Sequence, residues 1–226
     1  MTVIDDLLAD LTAAISGRPT TYNTKSAIWD VFEGYVFGLV IRAAVAAGGS
    51  VIYEDVNGNR SPTRLTFRTS PGMLHSTAHA YTHAVIDLPD CDPLEAHVGV
   101  RVQGRSGVLH ECDVLVLPAV EAALSRSKSV APRGSRSLLA VECKYYTSHI
   151  SLYLARGFHG LHSDLGLKHP FFVANIRAAR IERYLSYHQR RWENGVMPGT
   201  SEAAYLEGLI RDAFKQHMAV RGALAP

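Results

Sequence analysis

Residues 25–49, KSAIWDVFEGYVFGLVIRAAVAAGG, constrain the fold most, because they form one long and strongly apolar helix pattern. Apolar residues recur along the segment at helical spacing and form a broad face: Ile28, Phe32, Tyr35, Val36, Leu39, Val40 and Ala43. Thr24 or Ser26 is predicted to cap the N-terminus of this helix, and Gly48 and Gly49 to end it. A helix with so wide an apolar face is expected in the core.

Strand patterns follow this helix, and helices and strands alternate towards the C-terminus. Residues 1–17 predict a first helix, and residues 50–56 and 62–69 predict an antiparallel hairpin. Further strands are predicted at 82–88, 94–103, 108–117, 138–146 and 170–176, and further helices at 149–165, up to about 192, and at about 200–219. This order predicts one α/β domain over residues 1–226, with helices on both faces of a mixed sheet.

The composition is ordinary for a globular chain, with 47% hydrophobic and 19% charged residues. The formal net charge is only +2, so contact with nucleic acid requires local basic patches. No apolar run approaches the roughly 18 residues of a membrane helix, and the acidic N-terminus does not resemble a signal peptide. We therefore expect a cytoplasmic protein without membrane contact.

Cysteines and histidines give weak metal signals. The chain has three cysteines, which form no CxxC pair and favour buried free thiols: Cys91, Cys112 and Cys143. His75, His79 and His83 are four residues apart, which on a helix would form a metal-binding stripe. The segment runs into a strand pattern, however, so we expect that this stripe does not form. The HEC segment at 110–112 is not a zinc-protease HExxH motif, because Val114 stands where the second histidine is required.

The segment LLAVECKYY, residues 138–146, carries two charges in an otherwise apolar strand pattern. Side chains alternate faces along a strand, so Glu142 and Lys144 point the same way. Two charges at the end of a buried strand are costly unless they meet a partner, a metal ion or a substrate. A structural ion pair on an exposed strand face remains the alternative.

A second charge, Asp113, precedes an apolar stretch in VLHECDVLVLP. Alternation places Asp113 on the face of Glu111, Leu115 and Leu117, with Cys112 on the opposite face. If this strand lies beside LLAVECKYY, Asp113 stands next to Glu142 and Lys144. The thiols of Cys112 and Cys143 are then expected together on the apolar face behind them.

An Asp at one strand end, followed by Glu-x-Lys in the next strand, resembles the PD-(D/E)xK nuclease superfamily. The resemblance rests on Asp113 and on ECK at 142–144, with Glu33 in an upstream helix, and it spans about residues 24–192. It implies an α/β, restriction-endonuclease-like mixed β-sheet with antiparallel hairpins, flanked by helices on both faces. It also implies a metal-dependent endonuclease acting on DNA rather than RNA, in defence or repair, and it is compatible with a homo-oligomer.

The chemistry of phosphodiester hydrolysis requires these residue types. Asp113, Glu142 and the backbone carbonyl of Cys143 are suitable ligands for Mg²⁺ or Mn²⁺. Lys144 would orient or deprotonate the attacking water, or stabilise developing charge. Glu33 is expected to be a supporting acid; the alternatives are a buried bond to Arg42 or a tyrosine, with Asp30 as a substitute acid.

Basic residues in two segments are candidates for nucleic-acid contact. Residues 124–137 are predicted to be a mobile basic loop rooted near the site, with four candidate residues: Arg126, Lys128, Arg133 and Arg136. In the segment that follows the 170–176 strand, Arg177 and Arg180 are further candidates, although the pattern favours a solvated helix face, because Glu182 and Glu193 interrupt the basic stripe.

Two competing hypotheses remain at this point. In the first, the chain is a catalytically inactive nuclease-fold subunit that binds nucleic acid or regulates a partner, and Lys144 only neutralises Glu142. In the second, the chain is a structural or regulatory protein whose histidines, including His75 and His79, bind metal.

Overall fold

The computed structural model describes residues 2–222, with side chains up to residue 220, and contains one seven-stranded mixed sheet. The strands are β1 Ser50–Asp55, β2 Thr82–Asp87, β3 Leu94–Gln103, β4 Leu109–Pro118, β5 Leu139–Lys144, β6 His169–Ala174 and β7 Trp192–Asn194. The α-helices are α1 Val3–Ala14, α2 Ile28–Ala46, α3 Ala119–Lys128, α4 Leu152–Leu165, α5 Ala179–Tyr187 and α6 Ser201–Gly222. Among these residues, no helix combines the length and apolar character that crossing a membrane requires.

The spatial order of the strands follows the chain from β1 to β7. Neighbours from β1 to β5 are antiparallel, whereas β5, β6 and β7 are parallel. The parallel strands require crossover connections, which α4 and α5 supply. The predicted mixed sheet with an α/β tail is therefore confirmed.

Helices cover both faces of the sheet. On one face α2 packs against β1, β3, β4 and β5, with α1 and α6 against α2. The other face is covered by α3, α4 and α5, whose apolar side chains join two smaller core clusters with Ala140 and Phe172. The prediction that residues 25–49 form a core helix is confirmed, although α2 begins at Ile28 without a side-chain cap from Thr24 or Ser26.

The predicted hairpin between residues 50–56 and 62–69 is wrong. β1 pairs with β2 instead, over the register Ser50↔Asp87 to Asp55↔Thr82. Residues 62–69 form irregular structure that contacts the N-terminal connector, where Leu65 bridges Thr20. Apolar and polar residues do alternate in this segment, but its backbone groups form hydrogen bonds with other parts of the chain. For example, the amide of Phe67 donates to the hydroxyl of Thr21.

Two further elements differ from the sequence predictions. The segment predicted as a mobile loop, 124–137, begins inside α3 and ends in a short 3₁₀ helix at Gly134–Arg136. The helix predicted to reach about residue 192 ends at Tyr187, and a short strand, β7, follows it. Trp192 packs on Phe172 of the third core cluster, which explains why this segment joins the sheet edge.

Candidate active site

Asp113, Glu142 and Lys144 converge where the middle of β4 meets the C-terminal end of β5. The ammonium nitrogen of Lys144 lies 2.6 Å from Oε1 of Glu142 and 3.6 Å from Oδ2 of Asp113. The Asp113 side chain is only 7% exposed, whereas those of Glu142 and Lys144 are about one-fifth exposed. The three residues predicted from the sequence are therefore brought together, in a place that solvent can still reach.

Strand register explains the convergence. β4 and β5 are antiparallel, with Val114 opposite Val141, so the next residues along, Asp113 and Glu142, meet where the ladder ends. Oδ2 of Asp113 accepts a 2.6 Å hydrogen bond from the backbone N–H of Cys143. This bond ties the end of β5 to β4 and fixes the carboxylate beside Lys144.

The positions of Cys112 and Cys143 show that the side chains of β4 do not alternate regularly between the two faces at Asp113. Both thiols are buried and reduced, as predicted. Cys143 packs on the α2 face, however, whereas Cys112 packs with Leu115 on the opposite face. The prediction that the thiols line one face is wrong.

The neighbouring strand explains why. Val98 lies on the α2 face and Val100 on the other, with Gly99 between them at φ +62°. Gly99 stands opposite Asp113 in the register, so both strands change faces at the position of the carboxylate.

Burial and neighbouring charge raise the pKa values of two acids at this site. Burial and the charge of Glu142 raise the pKa of Asp113 to about 7, against the lowering effects of Lys144 and the Cys143 amide. Burial, then the charges of Asp113 and Asp30, raise the pKa of Glu33 to about 9. The site is therefore short of positive charge when its carboxyl groups are ionised.

Glu33 approaches the site from α2. Its pKa depends on Asp113, Lys144 and Asp30, which places it in the electrostatic neighbourhood of the acids. The alternative partner Arg42 instead bonds Asp10 at 2.7 Å and Glu207 at 2.9 Å.

The lysine stays charged in this environment. Burial lowers the pKa of Lys144, but the charges of Asp113 and Glu142 outweigh it and hold the pKa above its ordinary value. Glu111, on the same strand as Asp113, also has a raised pKa through burial and the charge of Glu142. No role for Glu111 was predicted, although strand alternation already placed it on the face of Asp113.

An amide clamp holds the segment that follows Lys144. The side chain of Asn175 accepts from the backbone N–H of Tyr146 at 2.8 Å and donates to the carbonyl of the same residue at 2.9 Å. Asn175 directly follows β6, which is parallel to β5, so the two strand ends lie together. This positioning residue was not foreseen, because nothing local to Asn175 marks it.

The basic segment after β4 lies far from the acids, which corrects the prediction that its root is near the site. Pro118 ends β4 five residues beyond Asp113, a separation of about 17 Å along the strand. Arg126 binds Glu95 at 2.9 and 2.6 Å, and Arg133 binds Glu121. Lys128 and Arg136 are exposed at the same distant end.

Arg177 and Arg180 lie on the edge of the sheet where β5 and β6 end, which is the edge of the acids. Both are exposed. Arg177 donates to Glu202 at 2.5 Å, with its own side chain 77% exposed. Of the six predicted nucleic-acid residues, these two are placed on the same side as Lys144.

The stripe of His75, His79 and His83 does not form, as the strand pattern after it predicted. His75 and His79 lie in turns and bends, and only His83 is in a strand. His83 instead joins Glu95 and His97 in a buried group whose ligand atoms lie within 4.8 Å of one another. Glu95 and His97 are separated by one residue in an apolar strand, the same signal that marked Glu142 and Lys144, so the sequence could have revealed them.

No protein-family model, curated protein or solved structure matches this chain. The resemblance to a nuclease superfamily therefore rests on the residues and their geometry alone.

Proposed function

We propose that the protein is a metal-dependent endonuclease that hydrolyses phosphodiester bonds in DNA, on a restriction-endonuclease-like sheet. The observation that carries this proposal is the convergence of Asp113, Glu142 and Lys144 on two neighbouring strands. Two acids and a lysine in this arrangement are what the resemblance to the PD-(D/E)xK superfamily implies. Glu33 adds a supporting acid from α2.

The donor set fits a hard divalent cation. Mg²⁺ and Mn²⁺ prefer carboxylate and carbonyl oxygens, and Asp113, Glu142 and the carbonyl of Cys143 would hold such an ion. The N–H of Cys143 already points at Asp113, and a strand residue directs its N–H and C=O to the same side. Burial, and after it neighbouring negative charge, raise the pKa values of Asp113 and Glu33, and a bound cation would favour the ionised forms of both groups. When bound, the ion would activate water and neutralise charge on the phosphate.

The ionisation of Lys144 decides which role it takes. In the metal-free site the charges of Asp113 and Glu142 hold its pKa above the ordinary value, so the side chain is an ammonium at neutral pH. In that form Lys144 would donate hydrogen bonds to water and to the phosphate oxygens on which charge develops. Glu142 holds the ammonium in place through the 2.6 Å contact.

DNA as the substrate follows from the resemblance, and basic residues near the acids support contact with phosphates. Arg177 and Arg180 extend from the edge that carries the acids, and exposed guanidinium groups bind phosphate oxygens well. We place the primary phosphate contacts there rather than on Arg126 and Arg133, which lie at the distant end of β4 and bind the buried carboxylates of Glu95 and Glu121. Arg177 binds Glu202, but its own side chain is 77% exposed.

The deciding experiment compares the wild type with Asp113→Asn. Asn keeps an oxygen that accepts from the Cys143 N–H but removes the charge that a cation needs. We expect calorimetry to show Mn²⁺ binding to the wild type, at least tenfold weaker binding to the variant, and metal-dependent cleavage of plasmid DNA by the wild type alone. Glu182→Gln, an exposed change on α5, is the matched control. Equal cleavage by Asp113→Asn and the wild type would overturn the proposal.

The 2.6 Å contact between Lys144 and Glu142 favours a second candidate function, an inactive nuclease-fold subunit. In that case Lys144 permanently neutralises Glu142, and the site needs no cation. The same titration distinguishes the two: this subunit would bind DNA, but Mn²⁺ would bind the wild type no better than Asp113→Asn.

A further inference from the structure

A second cluster of ionisable groups lies on β2 and β3. His83 on β2 stands beside His97 on β3, and their rings stack with centroids 4.8 Å apart at 15°. Glu95 lies two residues before His97 on β3. All three side chains are buried, with at most 5% exposure of each residue.

The distances resemble those of a metal centre. Nε2 of His97 is 2.8 Å and Nε2 of His83 is 3.5 Å from Oε2 of Glu95. Bonds of about 2.0–2.1 Å in a tetrahedral zinc site place ligand atoms about 3.3 Å apart. The His83 contact already matches, and the His97 contact needs to open by a few tenths of an ångström.

Several nitrogens of this cluster lack the partners that burial normally demands. Within the described part of the chain, neither ring nitrogen of His83 has a hydrogen-bond partner, and Nδ1 of His97 has none. A buried polar atom without a partner costs about 1–3 kcal/mol. Burial also lowers the pKa values of both imidazoles, that of His83 to about 3, which keeps them in the neutral form that binds metals.

We propose that His83, Glu95 and His97 bind a divalent transition metal ion, with Zn²⁺ as the best fit. Two imidazoles and one carboxylate are a ligand set that zinc accepts, and Mg²⁺ disfavours it because two of the donors are nitrogen. Binding replaces the hydrogen bond between His97 and Glu95 with two metal bonds, and the single proton of the neutral His97 imidazole moves from Nε2 to Nδ1, which leaves Nε2 able to bind the metal. Glu54, whose Oε2 lies 3.9 Å from Nε2 of His83, is within reach to complete the site directly or through water.

Arg126 acts as a positioning residue for this centre. It donates to both oxygens of Glu95, at 2.9 Å to Oε1 and 2.6 Å to Oε2. These bonds and the bond from His97 hold the pKa of Glu95 below its ordinary value despite burial, so the carboxylate is ionised. A carboxylate ligand that is fixed by an outer partner is the usual arrangement in metal sites.

The proposed centre is separate from the acids of the nuclease proposal. Glu95 pairs with Leu117, four residues or about 13 Å along β4 from Asp113, and His97 stands opposite Leu115, two residues or about 7 Å along. It also differs in chemistry, because the nuclease site offers oxygen ligands only. The two proposals therefore stand or fail independently.

The test titrates chelator-treated full-length protein with Zn²⁺ by calorimetry, and with Co²⁺ by visible absorption. Every protein in this test carries Asp113→Asn, so that the acids of the proposed nuclease site do not bind the added metal; the protein with this change alone is the parent. We expect one equivalent to bind, with the intense Co²⁺ bands of four- or five-coordinate metal. His97→Gln and His83→Gln should weaken binding at least 100-fold, and Arg126→Gln by about 10–100-fold at unchanged stoichiometry. His79→Gln, which changes an exposed histidine, should have no effect.

Thermal unfolding and X-ray absorption keep the test decisive if a variant folds poorly. Zn²⁺ should raise the melting temperature of the parent but not of His97→Gln. The absorption spectrum of the parent zinc complex should show two imidazoles and no sulfur. A sulfur ligand, binding that His79→Gln removes, or equal affinity of the parent and His97→Gln would overturn the proposal, as would absence of binding.

Discussion

The backbone N–H of Cys143 donates a 2.6 Å hydrogen bond to Oδ2 of Asp113, across strands whose ladder has already ended. A buried carboxylate with a raised pKa thus serves as a structural acceptor as well as a candidate metal ligand. An amide at position 113 can serve only the first of these roles.

Asp113→Asn is therefore expected to gain stability while it loses function. The folded pKa of about 7 lies above the ordinary 3.8, so the wild type loses stability as pH rises through this interval. The neutral variant does not. The stability of the variant relative to the wild type, from chemical unfolding without metal, should increase from pH 4 to pH 7 and then level off. A constant difference across that range would contradict the assignment.

Lys144→Ala is expected to separate metal binding from turnover. An ammonium is never a metal ligand, so Mn²⁺ affinity should stay within a few-fold of the wild type. Loss of a group that stabilises developing charge should lower kcat by about 10²–10⁴-fold. Lys168→Ala, an exposed lysine before β6, is the control. Full activity in Lys144→Ala would remove the lysine from the mechanism.

Glu33→Gln tests the acid on α2. The folded pKa of about 9 exceeds the ordinary 4.5, so the Glu33 carboxyl contributes stability below about pH 4.5, which is lost as pH rises to 9. One proton corresponds to a slope of up to about 1.4 kcal/mol per pH unit. Between pH 7 and 9 Asp113 is already ionised, so the fall in the free energy of unfolding with pH should be smaller for Glu33→Gln than for the wild type. Glu182→Gln should show the same fall as the wild type. The cleavage rate should fall without disappearing, as befits a supporting acid.

The two groups of arginines predict different outcomes in DNA binding. Arg177→Ala and Arg180→Ala should each reduce the slope of log K against log salt by about 0.9 on duplex DNA. Lys128→Ala and Arg136→Ala, at the distant end, should leave the slope unchanged. Arg133→Ala should instead lower thermal stability, because it leaves the buried Glu121 without its guanidinium partner. The opposite pattern of slopes would place the nucleic acid at the far end of the sheet.

Gly99→Ala should be destabilising by about 1–2 kcal/mol, because an L residue is strained at φ +62°. Its Cβ would also stand 3.3 Å from Cβ of Arg68. Gly157→Ala is the matched control: it lies in α4 with no atom within 4 Å of the added carbon, and should stabilise by about 0.5–1 kcal/mol. Urea unfolding of both variants measures the difference. A Gly99→Ala protein as stable as the wild type would show that the face change at Asp113 does not need this glycine.

Sequence patterns identified the elements whose evidence is local. The apolar periodicity of α2 and the alternation around Glu142 and Lys144 both lead to observed structure, because burial on one face imposes those patterns directly. Pairing between strands that are distant in the sequence was harder to predict. β1 pairs with β2 across 26 intervening residues, and only tertiary packing decides against the nearer segment 62–69.

Side-chain partners were the hardest to foresee. A run of arginines and serines predicts a mobile surface loop, yet Arg126 and Arg133 find carboxylates on β3 and α3. The prediction that side chains alternate regularly along β4 also failed at Asp113. Gly99 on the neighbouring strand has a left-handed backbone conformation, and the side chains of both strands exchange faces there. Such effects depend on contacts between residues far apart in the chain.

Asp113 of the acid group and Glu95 of the histidine group are about 13 Å apart along β4, because Glu95 stands opposite Leu117. Changes at sites more than about 10 Å apart, without shared partners, usually combine additively to within about 0.5 kcal/mol. The double variant Asp113→Asn with Glu95→Gln should therefore show the sum of the two single effects. Protein engineers could remodel the surroundings of Glu95 and leave those of Asp113 as they are.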